Sequence, residues 1–301
     1  MREIRCRTRI KRQDQESGPK ASQRALRRYT QLVLQWLGQP PGPHALIDAT
    51  LSAASLEGGD EVNHHAPQSA LPPEARTVLH DLGRALREVL GANLVGVVAF
   101  GAAVRGDWGA DRNDLEIAVV LVNDTPASFD QMRPLLRGSN EERQIKALVL
   151  VDSEIPHSLD CFSVLFDDIR RCHELIVGHN PFASMQIPYE HLRVGIEHNL
   201  HDATLRLRGA RFEEADSREA LAHTVRRTVR HVRTALHALL CLQHVSSGNT
   251  LGEVLDRAGH VYGIDVRPLL DVNADPRHAL ETLNALLRRS ANDVDTPGDW
   301  Q

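Results

Sequence analysis

Two carboxylates, Asp114 and Glu116, stand two residues apart at the head of the apolar run LEIAVVLV. Residues so spaced on an extended segment project from one face, so the pair can share a hard cation such as Mg2+, which prefers oxygen ligands. Upstream, the run LVGVVAF ends at Phe100 and gives way to Gly101. A glycine there leaves the backbone room to approach a phosphate, and N–H groups opening the following helical segment favour its charge. Metal-assisted handling of a triphosphate is the chemistry this set could perform. Taken alone, two acids near a strand are equally well a solvated strand edge. The buried strand and the glycine before them favour the metal reading.

Such a pair must be carried by two strands and the turn between them. Pro73-Glu74 opens a helix whose apolar positions Val78, Leu79, Leu82, Leu86, Val89 and Leu90 recur at three and four, and Gly91 closes it. LVGVVAF then reads as a strand buried on both faces, and Leu115 to Val122 as a second strand. Phe129 to Leu136 reads as helix, Ala147 to Val151 as a third strand and Cys161 to Phe166 as a fourth. Beyond Ile169 the texture turns helical: Glu190–Phe212 and Ser217–Val245 are long amphipathic segments, with shorter ones at Leu251–Ala258 and Arg277–Leu287. Nearer the start, Ala21 to Leu37 has helical spacing and ends in the breaker run GQPPGP, and the stretch from there to Pro73 reads as a loose linker.

Composition narrows the classes of partner. A charged share of 25% is ordinary for a soluble protein, and a net charge of −5 supplies no global positive field for nucleic acid, so an anionic ligand must be met locally. Nucleic acid is accordingly an unlikely partner. Trp36, Trp108 and Trp300 are too scattered for a base-stacking platform. Cys6, Cys161, Cys172 and Cys241 form no C-x-x-C pair, which argues against a zinc ribbon or a disulfide framework and makes a reducing cytoplasm the expected compartment. No apolar run approaches the ~18 residues of a membrane span, and the basic N-terminus lacks the apolar stretch of a secretory signal.

The stretch FGAAVRGDWGADRNDLEIAVVL resembles the DNA polymerase beta superfamily of nucleotidyltransferases, whose pattern is a strand, Gly-Ser, a short helix, and Ser-Asp-x-Asp or Ser-Asp-x-Glu on the next strand. Gly101 matches the glycine, Ala102 stands for the first serine, Asn113 for the second, and Asp114 and Glu116 hold the acidic positions. SLDCFSVLFDDIRRCHELIVGHNPF is similar to a segment of uncharacterised bacterial members, through Phe162, Phe166, Asp168, Ile169, Gly178, Asn180, Pro181 and Phe182. The resemblance implies an α+β fold with a nucleotidyltransferase-type mixed sheet and flanking helices, followed by a C-terminal helical domain. On this reading the chain divides into a disordered basic arm (1–20), a helix plus loose linker (21–72), a nucleotidyltransferase-like domain (73–182), a helical domain (183–290) and a tail (291–301).

What the resemblance implies for the site follows residue by residue. Asp114 and Glu116 would hold Mg2+, Gly101 and Ala102 would present amides to a nucleoside triphosphate, and Arg105 is the side chain of the connecting segment that could meet a phosphate. Leu165 stands where the resemblance expects a third carboxylate. On a strand, Asp167 would share its face and serve as the substitute catalytic acid. General-base assistance is worth ~10²–10⁴-fold, so losing that acid and the serine hydroxyl impairs transfer more than binding. Two functions follow: transfer of a nucleoside monophosphate to a hydroxyl of unknown acceptor, or an inactive scaffold whose helical domain engages a protein partner.

On the Ser217–Val245 segment, Leu221, Val225, Val229, Val232, Leu236 and Leu239 form one stripe, and His223, Arg226, Arg230, Arg233 and His237 a second. The basic stripe reads as a solvated face or as one turned toward phosphate. Arg–His spacings of helical ribonucleases occur in it, in a region where so many arginines and histidines produce them by chance. A helical zinc-protease motif starting at His173-Glu174 fails because Val177 stands where its second histidine must be.

Overall fold

In a computed structural model, residues 69–108, 114–138, 145–213 and 217–295 are described, and all of them fall within one compact unit. The arm expected at 1–20, the helix and linker before residue 69, Asn113 and residues 296–301 lie outside the described residues. Helix α1 (Pro73–Leu90) has Pro73 in its first turn, where a missing N–H costs nothing, and Gly91 at its C-terminal cap with φ 53°. A single 3-10 turn then delivers the chain to strand β1 (Leu94–Phe100). The short helix α2 (Ala102–Arg105) and strand β2 (Leu115–Leu121) follow, then α3 (Pro126–Gly138) and β3 (Ile145–Val151). Helix α4 (Ser163–Arg171) leads into β4 (His173–Gly178).

The four strands form a mixed sheet in the order β3-β2-β1-β4, with β2 and β3 parallel and the other two pairings antiparallel. Leu115, Ile117, Val119 and Leu121 of β2 and Val97 and Ala99 of β1 join Leu79, Leu82 and Leu86 of α1 in one hydrophobic cluster. The elements described after β4 are helical: α5 (Tyr189–Glu213), α6 (Arg218–Leu242), α7 (Leu251–Tyr262), the short α8 (Arg267–Leu270) and α9 (Pro276–Asp295). A second cluster joins Leu192, Ile196 and Leu200 of α5, Val229, Val232 and Leu236 of α6 and Leu283 and Leu287 of α9, and Val164 of α4 belongs to it. The architecture is therefore α+β, a mixed sheet with flanking helices followed by a helical region. Among the described residues no helix is long and apolar enough to cross a membrane.

Two expectations are corrected. Cys161–Phe166 is not a strand: Ser163 begins α4, and the buried positions Val164, Phe166, Asp167, Asp168 and Ile169 fit one side of a helix rather than an alternation. The fourth strand is His173–Gly178, an edge strand with only Ile176 fully buried, so its alternation is faint. The last helix, expected at Arg277–Leu287, spans Pro276–Asp295.

Gly96 of β1 lies against the backbone just past β4: a Cβ on Gly96 would lie 2.0 Å from the His179 carbonyl oxygen. That neighbour is backbone and cannot turn aside. Gly96→Ala should lower stability by about 1–3 kcal/mol or more, whereas Gly209→Ala, on a stretch of α5 with nothing within 4 Å of the added carbon, should raise it by roughly 0.5–1 kcal/mol. Urea denaturation of both variants checks the contrast.

Candidate functional site

Antiparallel pairing of β1 with β2 sets Phe100 opposite Glu116, which returns Glu116 to the bend at Gly101. Gly101 has φ 82°, and a Cβ there would lie 1.5 Å from Glu116 Oε2, so only glycine fits beside that carboxylate. The Ala102 N–H, first of α2, donates to Glu116 Oε2 at 3.0 Å. The turn expected to cradle a phosphate is thus capped by the protein's own carboxylate. On the other side of β2, the parallel register sets Lys146 of β3 opposite Glu116, and the Lys146 ammonium lies 2.5 Å from Asp114 Oδ2. Glu116 therefore stands beside Gly101, with Phe100 and Lys146 as the facing residues of the flanking strands, and Asp114 immediately precedes β2 and meets Lys146.

Does this donor set fit Mg2+? Two carboxylates suit the ion, but a divalent cation at the Asp114 oxygen would lie about 4 Å from the Lys146 ammonium, a repulsion of roughly 8 kcal/mol at an effective dielectric near 20. Ion and ammonium exclude each other. With its side chain 41% exposed, the lysine is bound to Asp114 by only about 0–1 kcal/mol of net stability. The arrangement does not fit a resident metal.

Arg105 turns away from this bend into the interior. Its guanidinium donates to Asp168 Oδ2 at 2.6 Å, and Arg233, on α6, donates to Asp168 Oδ1 at 2.5 Å and to the Asn249 carbonyl. The side chains of all three are at most 7% exposed. Asp107, 4.0 Å from the Arg105 Nε, accepts from the Leu251 N–H at 2.9 Å and so anchors the start of α7, where negative charge is favoured. Burial pushes the Asp168 carboxyl up, but Arg105 and Arg233 outweigh it and hold it below the usual range. Neither arginine's Nε finds a hydrogen-bond acceptor. This clasp joins the loop after Gly101 to the helical region, and it uses up the guanidinium that could have met a phosphate.

Asp167 is likewise committed. It lies on helix α4, not on a strand with Leu165, and its oxygens accept from Arg170 at 2.8 Å and Arg171 at 2.6 Å. Its expected rescue rested on a strand face that does not exist. The α6 apolar stripe is buried throughout, but the basic stripe divides: His223 and Arg226 are exposed, while Arg233 and His237 are buried. His173 and Glu174 sit on β4 rather than on a helix, and Cys172 lies just past α4, buried, with its thiol pushed up to about 11 by burial and then by Asp168. Lys146 went unread because its significance is a register, and Arg233 because its stripe reads as solvated. Apart from these, Glu197 and His201 of α5 and Asp295 of α9 bring ligand atoms within 4.8 Å of one another at the surface.

No protein-family model matches the sequence, and no curated protein matches it. Among solved structures the chain is similar to spectinomycin adenyltransferase from Enterococcus faecialis, crystallised with ATP and spectinomycin. The likeness has 13% sequence identity, covers 73% of this chain and 99% of that one, and has a TM-score of 0.45.

Asp168→Asn would leave two buried arginines facing each other and should cost about 3–5 kcal/mol by urea denaturation. A second expectation concerns acid. Burial, followed by Arg233, depresses His237 to about 4, below its ordinary 6.5. A histidine held neutral in the fold contributes stability above the unfolded pKa and loses it as the unfolded chain takes up the proton. Stability should therefore fall by about 3 kcal/mol between pH 6.5 and 4, and His237→Gln should flatten that window in denaturation curves taken across it.

Proposed function

We propose that this chain is a nucleotidyltransferase-fold protein without transferase activity, a scaffold whose helical region is an interaction module. The observation that carries the reading is the Ala102 N–H donating to Glu116 Oε2 at 3.0 Å. The amide that a triphosphate would need is satisfied internally, by the same carboxylate that would have to hold a metal. Arg105 on Asp168 and Asp167 on Arg170 and Arg171 repeat the pattern. The Ala102 amide, Arg105, Asp114, Glu116 and Asp167 each already have a partner within the fold.

A second reading keeps the chemistry. Asp114 and Glu116 are only partly buried, on one face beside Gly101, so solvent and ions reach them. With Lys146 swung aside, they would hold Mg2+ and a nucleoside triphosphate, and the hydroxyl of an unknown acceptor would lose its proton and take the nucleoside monophosphate as the α–β phosphoanhydride bond breaks and pyrophosphate leaves. Mg2+ would there neutralise charge on the phosphates.

Calorimetry with each of the four nucleoside triphosphates and Mg2+, paired with a labelled-nucleotide transfer assay, separates the two. The scaffold reading expects no saturable heat at millimolar nucleotide and no transfer. It also expects none after Leu165→Glu or Ala102→Ser, because Leu165 lies on α4 and a hydroxyl at Ala102 does not displace Glu116. Saturable Mg2+-dependent binding that Asp114→Asn abolishes would replace it with the second reading.

A further inference from the structure

We infer that Lys146 is the resident cation of this site, its ammonium seated on the Asp114 oxygen that a divalent ion would take, and that this lysine makes the site select against metal. The inference rests on reading Asp114 and Glu116 as the site's carboxylates, and adds what determines their ligand.

Three observations converge. The parallel register of β2 and β3 runs without a slip from Leu115↔Ile145 to Leu121↔Val151, so Lys146 faces the same side as Glu116, and as Asp114 two residues before it. Its neighbours Ile145 and Ala147 face the opposite side, among the residues packed beneath the sheet. The Nζ–Oδ2 separation of 2.5 Å is that of a charge-assisted hydrogen bond rather than a loose encounter. Position 146 is thus the point on β3 from which a side chain reaches Asp114. An acid there would supply a second carboxylate beside it, whereas the lysine supplies the opposite sign.

The pair stands at the rim, with Asp114 27% and Lys146 41% exposed, so position 146 can be changed without opening the core. Mn2+ followed by electron paramagnetic resonance, on the full chain, serves as the probe. The unsubstituted protein should bind no Mn2+ that Asp114→Asn removes. Lys146→Asp should gain one site, with affinity raised about tenfold or more as the repelling charge is replaced by a ligand, and the gain should vanish in the double variant with Asp114→Asn. Lys146→Gln, which removes the charge and keeps the reach, should gain a weaker site and decides the question if the aspartate unfolds the chain by circular dichroism. Ions taken up at Glu197, His201 and Asp295 would be indifferent to all these changes.

Asp114-dependent Mn2+ binding in the unsubstituted protein overturns the inference, as does a folded Lys146→Gln or Lys146→Asp protein that gains none. Nucleotide transfer by the unsubstituted protein would instead overturn the scaffold reading. The two failures are told apart by which assay gives a signal.

Discussion

Asp168 sits in the interior between two guanidinium groups that arrive from distant parts of the chain, Arg105 from the turn after β1 and Arg233 from the middle of α6. A lone carboxylate could not be buried there, nor could either arginine, because an unpaired charge in a low-dielectric interior is far too costly. Together they are tolerable, and each then fixes the others. Helix α4 is where the two halves of the architecture meet: Val164 enters the helical cluster while Asp168, four residues on, holds the turn that follows β1. Asp107 extends the same linkage by anchoring the first turn of α7. The bend at Gly101 is therefore braced from behind by charge, and its shape does not depend on what lies in front of it.

In front of it, polar groups are matched internally. Glu116 caps α2, Lys146 neutralises Asp114, and Asp167 is held by two arginines of its own helix. An active phosphoryl-transfer site needs the reverse, donors and carboxylates left unsatisfied until substrate and metal arrive, since catalysis draws on interactions made in the transition state rather than in the resting protein. Exposed ion pairs are individually weak. Their effect here comes from sign and position, with the Lys146 ammonium against the Asp114 oxygen.

Much of this could be read in the residues. The strands LVGVVAF and LEIAVVL are continuous apolar runs because both of their faces are covered, and the long helices show their stripes because one side packs in the core. The pairing of Asp114 with Glu116 beside Gly101 follows from a period of two and a hairpin-like return. Lys146 does not follow, because nothing local in IKALVLV says which residue of β2 it will face. Asp167 was misplaced for a related reason: CFSVLF alternates enough to pass for a strand, and only packing on two sides shows it to be a helix. Arg233 hides in a stripe with Arg226 and Arg230, and its burial depends on an acid 65 residues earlier. Local periodicity reports elements, and it is silent on which charges those elements will bring into contact.

The clasp also bears on motion. Enzymes that work between a sheet and a helical lobe commonly rely on hinge closure, with the two bodies rocking about a few yielding residues. Here such rocking would pull charge-assisted bonds apart between side chains that are buried. The lobes are in effect riveted, and among the described residues the solvent-facing lysine on β3 is a group whose rotamers change in picoseconds to nanoseconds rather than on the slower clock of domain closure.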